Sequence, residues 1–193
     1  MLQSTRLDAG KEHRLEVTRS TSLRDGSTCL VRLTTPSDFA AISALRDEIA
    51  TNETTLADTG EPTTSSLLGF TIAAIGQGGG VSLTAVRNTQ VVGNLLIERD
   101  PSPVKHHVGQ IGIIVAPSCR SLGIGTLLIT QGEEWARAAG MSLLTLEVFQ
   151  SNTRACALYE RLGFHIDGVR TNYIIDEKGS HDVVLMSKEL HLS

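Results

Sequence analysis

No apolar stretch in this sequence is long enough to cross a membrane. The longest, such as 111–117 and 143–146, fall far short of the roughly 20 apolar residues that a spanning helix needs. The first 16 residues mix Arg, Asp, Lys, Glu and His without an apolar core. We therefore expect no secretory signal and no membrane partner.

Cysteine is scarce, and its spacing suggests no pairing. Cys29, Cys119 and Cys156 are the three cysteines, and an odd number at these spacings disfavours a disulfide framework. With no CxxC pair or His/Cys cluster, we predict no metal site. The formal net charge of -4 shows no basic excess, which argues against a nucleic-acid partner. A protein of the reducing cytoplasm is the prediction.

The remaining composition is that of an ordinary globular domain. The chain has 193 residues, of which 40% are apolar and 20% charged, enough for one full hydrophobic core. Residues 1–27 are polar, and we interpret them as an extension that is either frayed or an added edge strand. Residues 28–193 are predicted to form the functional domain.

Hydrophobic periodicity and turn residues predict the order of elements. A strand comes first, then a helix opened by Pro36-Ser37-Asp38, a polar loop, and a second apolar helical segment. A hairpin, a strand, a helix, a strand, a helix and two closing strands follow. The corresponding ranges are 29–33, 36–49, 51–66, 67–75, 81–98, 108–115, 123–139, 143–149, 152–162, 166–175 and 182–190.

The strand–helix–strand run over 108–149 fixes the fold class. Two strands joined by a helix of this length are parallel, with a right-handed crossover. The hairpins on either side make the rest of the sheet antiparallel. We therefore predict a single α/β domain with a mixed, mainly antiparallel sheet, a central parallel βαβ unit and helices on both faces.

The turn inside this unit has the composition of a phosphate cradle. It reads Arg120-x-x-Gly123-x-Gly125 between a buried strand and a helix. A helix N-terminus offers unpaired N–H groups, and glycines let the backbone approach an anion. A dinucleotide-dependent oxidoreductase is the competing interpretation, but position 128 is Leu where its GxGxxG fingerprint needs glycine. By itself the turn fits a plain structural connection equally well.

A second motif follows the next strand. Asn152 suits a helix N-cap, and Tyr159 falls on the buried stripe of the helix that follows. Together, R-x-x-G-x-G, a strand ending Leu-Glu-Val, and N-x-x-A-x-x-L-Y-x-x-x-G-F resemble the GNAT superfamily of acyl-CoA-dependent N-acetyltransferases. The resemblance is strong over 108–168, looser back to 29, and does not include residues 1–27.

The resemblance implies a site for acetyl-CoA as acyl-donor cosubstrate. The loop would wrap the pyrophosphate, the preceding strand would pair with the pantetheine arm, and Asn152 would contact that arm. Relatives usually have Gly and a basic residue at the positions of Ser121 and Leu122, so one cationic contact is missing here. The residues implied are Ile113, Ile114, Val115, Arg120, Ser121, Leu122, Gly123, Ile124, Gly125 and Asn152.

The resemblance also implies catalytic roles. Tyr159 matches the frequent general acid that protonates the departing thiolate. Many relatives carry a general-base Glu on the strand 108–115, where this chain has Gln110. Glu147 is then the candidate base, acting through water, although the sequence favours a solvated or salt-bridged strand-end carboxylate as its role. The paired histidines His106 and His107 are a weaker choice.

Two further features concern nucleophile and acceptor. A covalent route through Cys119, beside Arg120, is conceivable but runs against the direct transfer of the family. Glu53, Asp58 and Glu61 in the loop 51–66, and Tyr173, are candidates for lining the acceptor pocket.

Two classes of function remain open. We expect an N-acetyltransferase acting on a small-molecule amine or amino acid, with a protein N-terminus or lysine as alternative acceptor. A non-catalytic acyl-CoA sensor is the alternative of another class. A homodimer is an expectation from the resemblance.

Overall fold

The computed structural model describes residues 18–52 and 79–191. One eight-stranded sheet and three α-helices make up this part of the chain. In chain order the elements are β1 (Arg19–Ser22), β2 (Thr28–Leu33), α1 (Phe39–Asn52), β3 (Gly80–Arg87), β4 (Gln90–Arg99), β5 (Val108–Val115), α2 (Ile124–Ala138), β6 (Leu143–Phe149), α3 (Thr153–Arg161), β7 (His165–Asp176) and β8 (Gly179–Glu189).

The sheet has the predicted mixed topology. Its strand order is β1-β2-β3-β4-β5-β6-β8-β7, and β5 with β6 is the parallel pair, with α2 as the crossover. All other neighbours are antiparallel. The α/β class and the βαβ unit are confirmed. Within the polar segment 1–27, the four residues of β1 pair with β2 as an edge strand.

Helices cover both faces of the sheet. Gly132 of α2 lies so close to Leu95 and Ile97 of β4 that a Cβ would meet their side chains at 2.9 and 3.0 Å. Because side chains alternate along a strand, Asn94 and Leu96 face the other side, where α1 packs on β4 and β5. The apolar residues between these layers form one continuous core.

A local ion pair fixes the start of α1. Asp38 is buried, accepts a hydrogen bond from the Thr35 backbone N–H at 2.8 Å, and binds both terminal nitrogens of Arg32 at 2.6 and 2.8 Å. The pKa of Asp38 is lowered to about 2. Its hydrogen-bonded partner Arg32 is the main cause, and the hydrogen bonds from Thr35 lower the pKa further. The helix therefore begins at a defined position and angle.

The structure corrects the start of one predicted loop. We predicted a loop over 51–66, but α1 continues through Asn52, because no helix-breaking residue precedes it. The rest of that loop and the predicted helix over 67–75 lie outside the described residues, as do Glu53, Asp58 and Glu61. Within the described ranges, no helix has the length and apolar character needed to span a membrane.

Candidate functional site

The parallel strands at the centre of the sheet separate after three residue pairs. The register of β5 with β6 runs only from Val108 opposite Leu143 to Gln110 opposite Thr145. Beyond that point β5 stays paired with β4, and β6 with β8, to their last residues. The side of β5 that faces β6 therefore has backbone N–H and C=O groups without a strand partner over 111–115.

A cavity of about 710 Å³ opens along this gap. That volume suits a ligand of cofactor size, since such sites run from about 300 to 1,000 Å³. Its walls include most of the residues implied by the two motifs. From that set they are Ile113, Ile114, Val115, Arg120, Ser121, Gly123, Ile124, Gly125, Glu147, Asn152 and Tyr159, while Leu122 is outside the lining.

The loop at the end of β5 has the geometry of an anion cradle. Ser121 and Gly123 have positive φ angles of 63° and 98°, which turn the chain sharply into α2. Leu127 N–H donates to the Gly123 carbonyl at 3.0 Å, so the N–H groups that precede it begin the helix without intrahelical partners. Gly125 allows α3 to approach, since a Cβ there would meet Leu158 at 3.0 Å.

Two arginines from other elements also reach this loop. Arg154 of α3 donates to Ser121 Oγ at 2.8 Å, and Arg24 donates its backbone N–H to the Leu122 carbonyl at 3.3 Å. Both line the cavity. Arg154 supplies a cation near the position where the resemblance left one missing. Sequence reasoning overlooked it, although its place one residue into α3 could have indicated it.

Asn152 caps α3, as predicted. Its Oδ1 accepts a hydrogen bond from the Ala155 N–H at 3.1 Å, which leaves the Nδ2 amide free to point elsewhere. The residue is half-buried and lines the cavity. Asn152 therefore caps the helix with its Oδ1 and has its Nδ2 as a hydrogen-bond donor at the cavity wall.

Tyr159 lies two turns further along α3 in the same cavity wall. Its side chain is 7% exposed and packs edge-on against Phe164, with ring centroids 5.9 Å apart. The pKa of Tyr159 is raised to about 12, mainly by burial and to a smaller extent by the nearby Cys156. No described residue hydrogen-bonds its hydroxyl, so the phenol is protonated, desolvated and available to a ligand.

Glu147, on β6, also lines the cavity. Its Oε1 forms an ion pair with Arg170 at 2.9 Å, in which the two side chains are 38% and 42% exposed. Arg170 also lies over the Tyr173 ring, 4.6 Å from its centroid. Glu147 is thus both a salt-bridged strand residue and a cavity residue, and an exposed pair of this kind is weak.

The model of the Acetyltransferase (GNAT) family matches residues 45–164, well over half of the chain. The chain belongs to the GNAT acetyltransferase family. The match includes the βαβ unit, the loop and α3.

Individual GNAT proteins resemble the chain over shorter or more distant stretches. [Ribosomal protein bS18]-alanine N-acetyltransferase of Salmonella typhimurium is 36% identical over 75 residues, 39% of this chain and 51% of that protein. L-amino acid N-acetyltransferase AaaT of Escherichia coli is 28% identical over 110 residues, 55% of this chain and 66% of that protein. The matches thus span between half and two thirds of these two relatives.

A solved structure extends the likeness to most of the fold. An acetyltransferase of GNAT family from Streptococcus pneumoniae superposes with a TM-score of 0.77 at 26% identity, covering 84% of this chain and 99% of that one. Nearly the whole of that GNAT fold is therefore present here.

Other candidates from the sequence lie less favourably in this GNAT fold. His106 and His107 are exposed just before β5, at the end away from the loop, and neither lines the cavity; Gln110 is also outside its lining. Cys119 lines the cavity but is 5% exposed, with Arg87 Nη1 3.8 Å from its Sγ. Tyr173 is half exposed on β7, outside the lining.

Besides Arg154, polar cavity residues on α1 and β4 were not foreseen from the sequence. Arg46 of α1 and Asn94 of β4 both line it. Arg46 lies within an apolar helical pattern and Asn94 within a strand pattern. Neither residue belongs to one of the two motifs, which is why the sequence did not indicate them. As to metals, the described ranges bring together no group of three or more His, Cys, Asp or Glu that would hold an ion.

Proposed function

We propose that the chain transfers an acetyl group from acetyl-CoA to a primary amine. The observation that carries this proposal is one cavity lined by the unpaired side of β5, the 120–125 loop and Tyr159, whose hydroxyl has no hydrogen-bond partner among the described residues. Family membership supports it independently. A non-catalytic sensor would need the cradle but not a buried, protonated phenol.

Binding of acetyl-CoA would use three parts of the cavity. The N–H groups around Gly123 and the guanidinium groups of Arg120 and Arg154 would hold the pyrophosphate. Residues 113–115 would hydrogen-bond the amides of the pantetheine arm, as a strand would. Asn152 Nδ2 would donate to the same arm from α3. A backbone N–H of β5 would also stabilise the thioester oxygen as negative charge develops there.

Direct transfer accounts for the remaining groups. A neutral amine nitrogen attacks the thioester carbonyl carbon, the C–N bond forms, and the C–S bond breaks with its electron pair on sulfur. Tyr159 donates its proton to the leaving sulfur. Glu147, through a water molecule, takes a proton from the ammonium form of the acceptor before attack, and the proton that the nitrogen loses on attack returns to the Tyr159 oxygen. The weak surface pairing with Arg170 leaves its second oxygen free for that water.

The acceptor belongs to one of two classes, and each has a relative in its favour. AaaT, by its name, acts on L-amino acids, and the Salmonella relative on the alanine of a ribosomal protein. We propose a small amine or amino acid as the acceptor and a protein N-terminus as the alternative.

Calorimetry with acetyl-CoA, beside thiol release over a panel of amines and peptides, tests the proposal. Binding together with thiol release for one class of acceptor is expected. Binding without release from any acceptor would favour the sensor. Absence of binding would contradict the assignment of the cradle.

A further inference from the structure

Arg46 is a charged residue on an otherwise apolar face of α1. It lies between Ile42 and Ile49, four residues after one and three before the other, so the three side chains share one helical face. Both isoleucines are 2% exposed, and all three residues line the cavity. Arg46 itself is half-buried, so its aliphatic stem packs beside the isoleucines while its charged head lines the cavity.

Among the described residues, no carboxylate pairs with Arg46. Its helical neighbours at three and four residues are Ile42, Ser43, Ile49 and Ala50, none of which is acidic. Among the described residues no ion pair or hydrogen bond involves Arg46. Glu147 is the acidic residue of the cavity lining, and it is paired with Arg170 on β7. Within the described ranges, the guanidinium of Arg46 therefore remains for a ligand of the cavity that it lines.

Arg46 is distinct from the arginines around the cradle. Arg24 and Arg154 are hydrogen-bonded to loop residues 121–122, and Arg120 belongs to that loop. Arg46 belongs instead to the helix that covers the opposite face of β4 and β5 from α2. Its charge therefore comes from α1, on the other face of the sheet from the helix whose N-terminus would hold phosphates.

The neighbouring wall offers a fixed hydrogen-bond acceptor. Asn94 Nδ2 donates to the Leu83 carbonyl at 2.9 Å and contacts Ser82 Oγ at 3.0 Å. A carbonyl can only accept, so this contact fixes which side of the amide holds the nitrogen. Asn94 is 8% exposed and lines the cavity, and no described group donates to its Oδ1. Asn94 Oδ1 can therefore accept a hydrogen bond from a ligand in the cavity.

We propose that Arg46 binds a carboxylate of the acetyl acceptor, while Asn94 Oδ1 accepts a hydrogen bond from an N–H of the same molecule. An acceptor with both an anionic and an N–H end is a free amino acid. A peptide N-terminus brings the N–H but has an amide where the carboxylate would be. The inference rests on the proposed acetyl transfer and names its acceptor class.

Matched acceptor pairs test this assignment on the full chain. Each amino acid is compared with its own carboxamide in the thiol-release assay, beside a peptide with a free N-terminal alanine. The wild type is expected to favour the carboxylate of each pair by about ten- to hundredfold in kcat/KM, the loss that follows from one missing charge-assisted hydrogen bond. Arg46→Gln is expected to abolish that preference, and Arg46→Lys to restore part of it.

Acetyl-CoA binding is measured by calorimetry for the same variants. An unchanged Kd is expected, because Arg46 is assigned to the acceptor; a Kd weakened tenfold by Arg46→Gln would make it a phosphate ligand and overturn the inference. Arg19→Gln is the control, since Arg19 lies on the edge strand and pairs with Glu134 on the surface.

The outcomes also separate this inference from the proposed function. Thiol release that is equal for carboxylates and carboxamides, or confined to the peptide, would overturn the role of Arg46 and leave acetyl transfer standing. Acetyl-CoA binding with no thiol release from any acceptor would overturn both.

Discussion

At the scale of single residues, the protonation of Tyr159 has a consequence for the pH dependence of the reaction. A pKa raised to about 12 by burial means that the phenol keeps its proton at every pH below about 11. We expect kcat/KM to rise with pH as the amine acceptor loses its proton, with no descending limb below about pH 11. A descending limb centred between pH 8 and 9 would show that a different group is the acid.

Removal of the Tyr159 hydroxyl should separate catalysis from binding. Tyr159→Phe keeps the ring and its contact with Phe164 but lacks the proton donor. We expect kcat to fall by about 10²- to 10⁴-fold, with the Kd of acetyl-CoA unchanged by calorimetry. Tyr173→Phe, on the exposed part of β7, is the control. Full activity of Tyr159→Phe would rule the phenol out as general acid.

Glu147 is tested by how its loss depends on pH. Glu147→Gln should lower kcat/KM at neutral pH, because the amine must then lose its proton without a base. The deficit should narrow once the pH exceeds the pKa of the acceptor, since the neutral amine is then abundant. A deficit that is constant with pH would instead assign Glu147 to positioning through Arg170.

At the scale of elements, Asp38 is the residue that anchors α1. Its pKa of about 2 lies below the ordinary value of 3.8, so its carboxylate stabilises the fold above pH 4, and that stabilisation is lost as pH falls towards 2. The difference corresponds to about 2 kcal/mol. Asp38→Asn should lower the free energy of unfolding at pH 7 by about this amount.

Urea unfolding at pH 7 and at pH 3 measures this effect. The wild type should lose part of its stability at pH 3, and the contribution of Asp38 to that loss should be absent in Asp38→Asn. Asp47→Asn, an exposed change later in the same helix, is the control. Equal pH dependence in all three proteins would contradict the anchoring role.

The elements also show what sequence can and cannot predict. Periodicity indicated β5, α2 and β6 closely, because their apolar patterns and the stops at Pro117 and Gly140 are local signals. Asn152 and the loop were predicted because they belong to motifs. Arg46 and Asn94 were not, since their importance depends on which helix covers which face of the sheet. Such a tertiary relation leaves no trace in the spacing of residues.

At the scale of the whole molecule, the gap divides the sheet into two parts. Strands β1 to β5 lie on one side and β6 to β8 on the other, and across the gap the sheet is joined by the pairs from Val108 to Gln110. A ligand that pairs with residues 113–115 and also contacts α3 would connect both parts. Its binding should therefore stabilise the fold as a unit.

Unfolding and hydrogen exchange test this coupling. Acetyl-CoA at about 100 times its Kd should raise the free energy of unfolding by about 2.7 kcal/mol. Amides of 113–115 should exchange more slowly in the complex. Gly123→Val, which places a β-branched residue at a φ of 98°, should weaken both effects. Stabilisation without added protection at 113–115 would contradict strand-like pairing of the ligand.

The divided sheet also gives the protein an uncommon kind of edge. A strand with free backbone groups ordinarily invites other chains to pair with it, and proteins protect such edges with charges, bulges or covering segments. Here the unpaired side of β5 faces β6 of the same sheet, across a cavity that is also lined by the 120–125 loop and α3. A slender ligand with a few amides can enter, whereas a strand with side chains on both faces meets those walls. The unpaired side of β5 is thereby protected from pairing with other chains, because it lies inside the sheet and not at its outer edge.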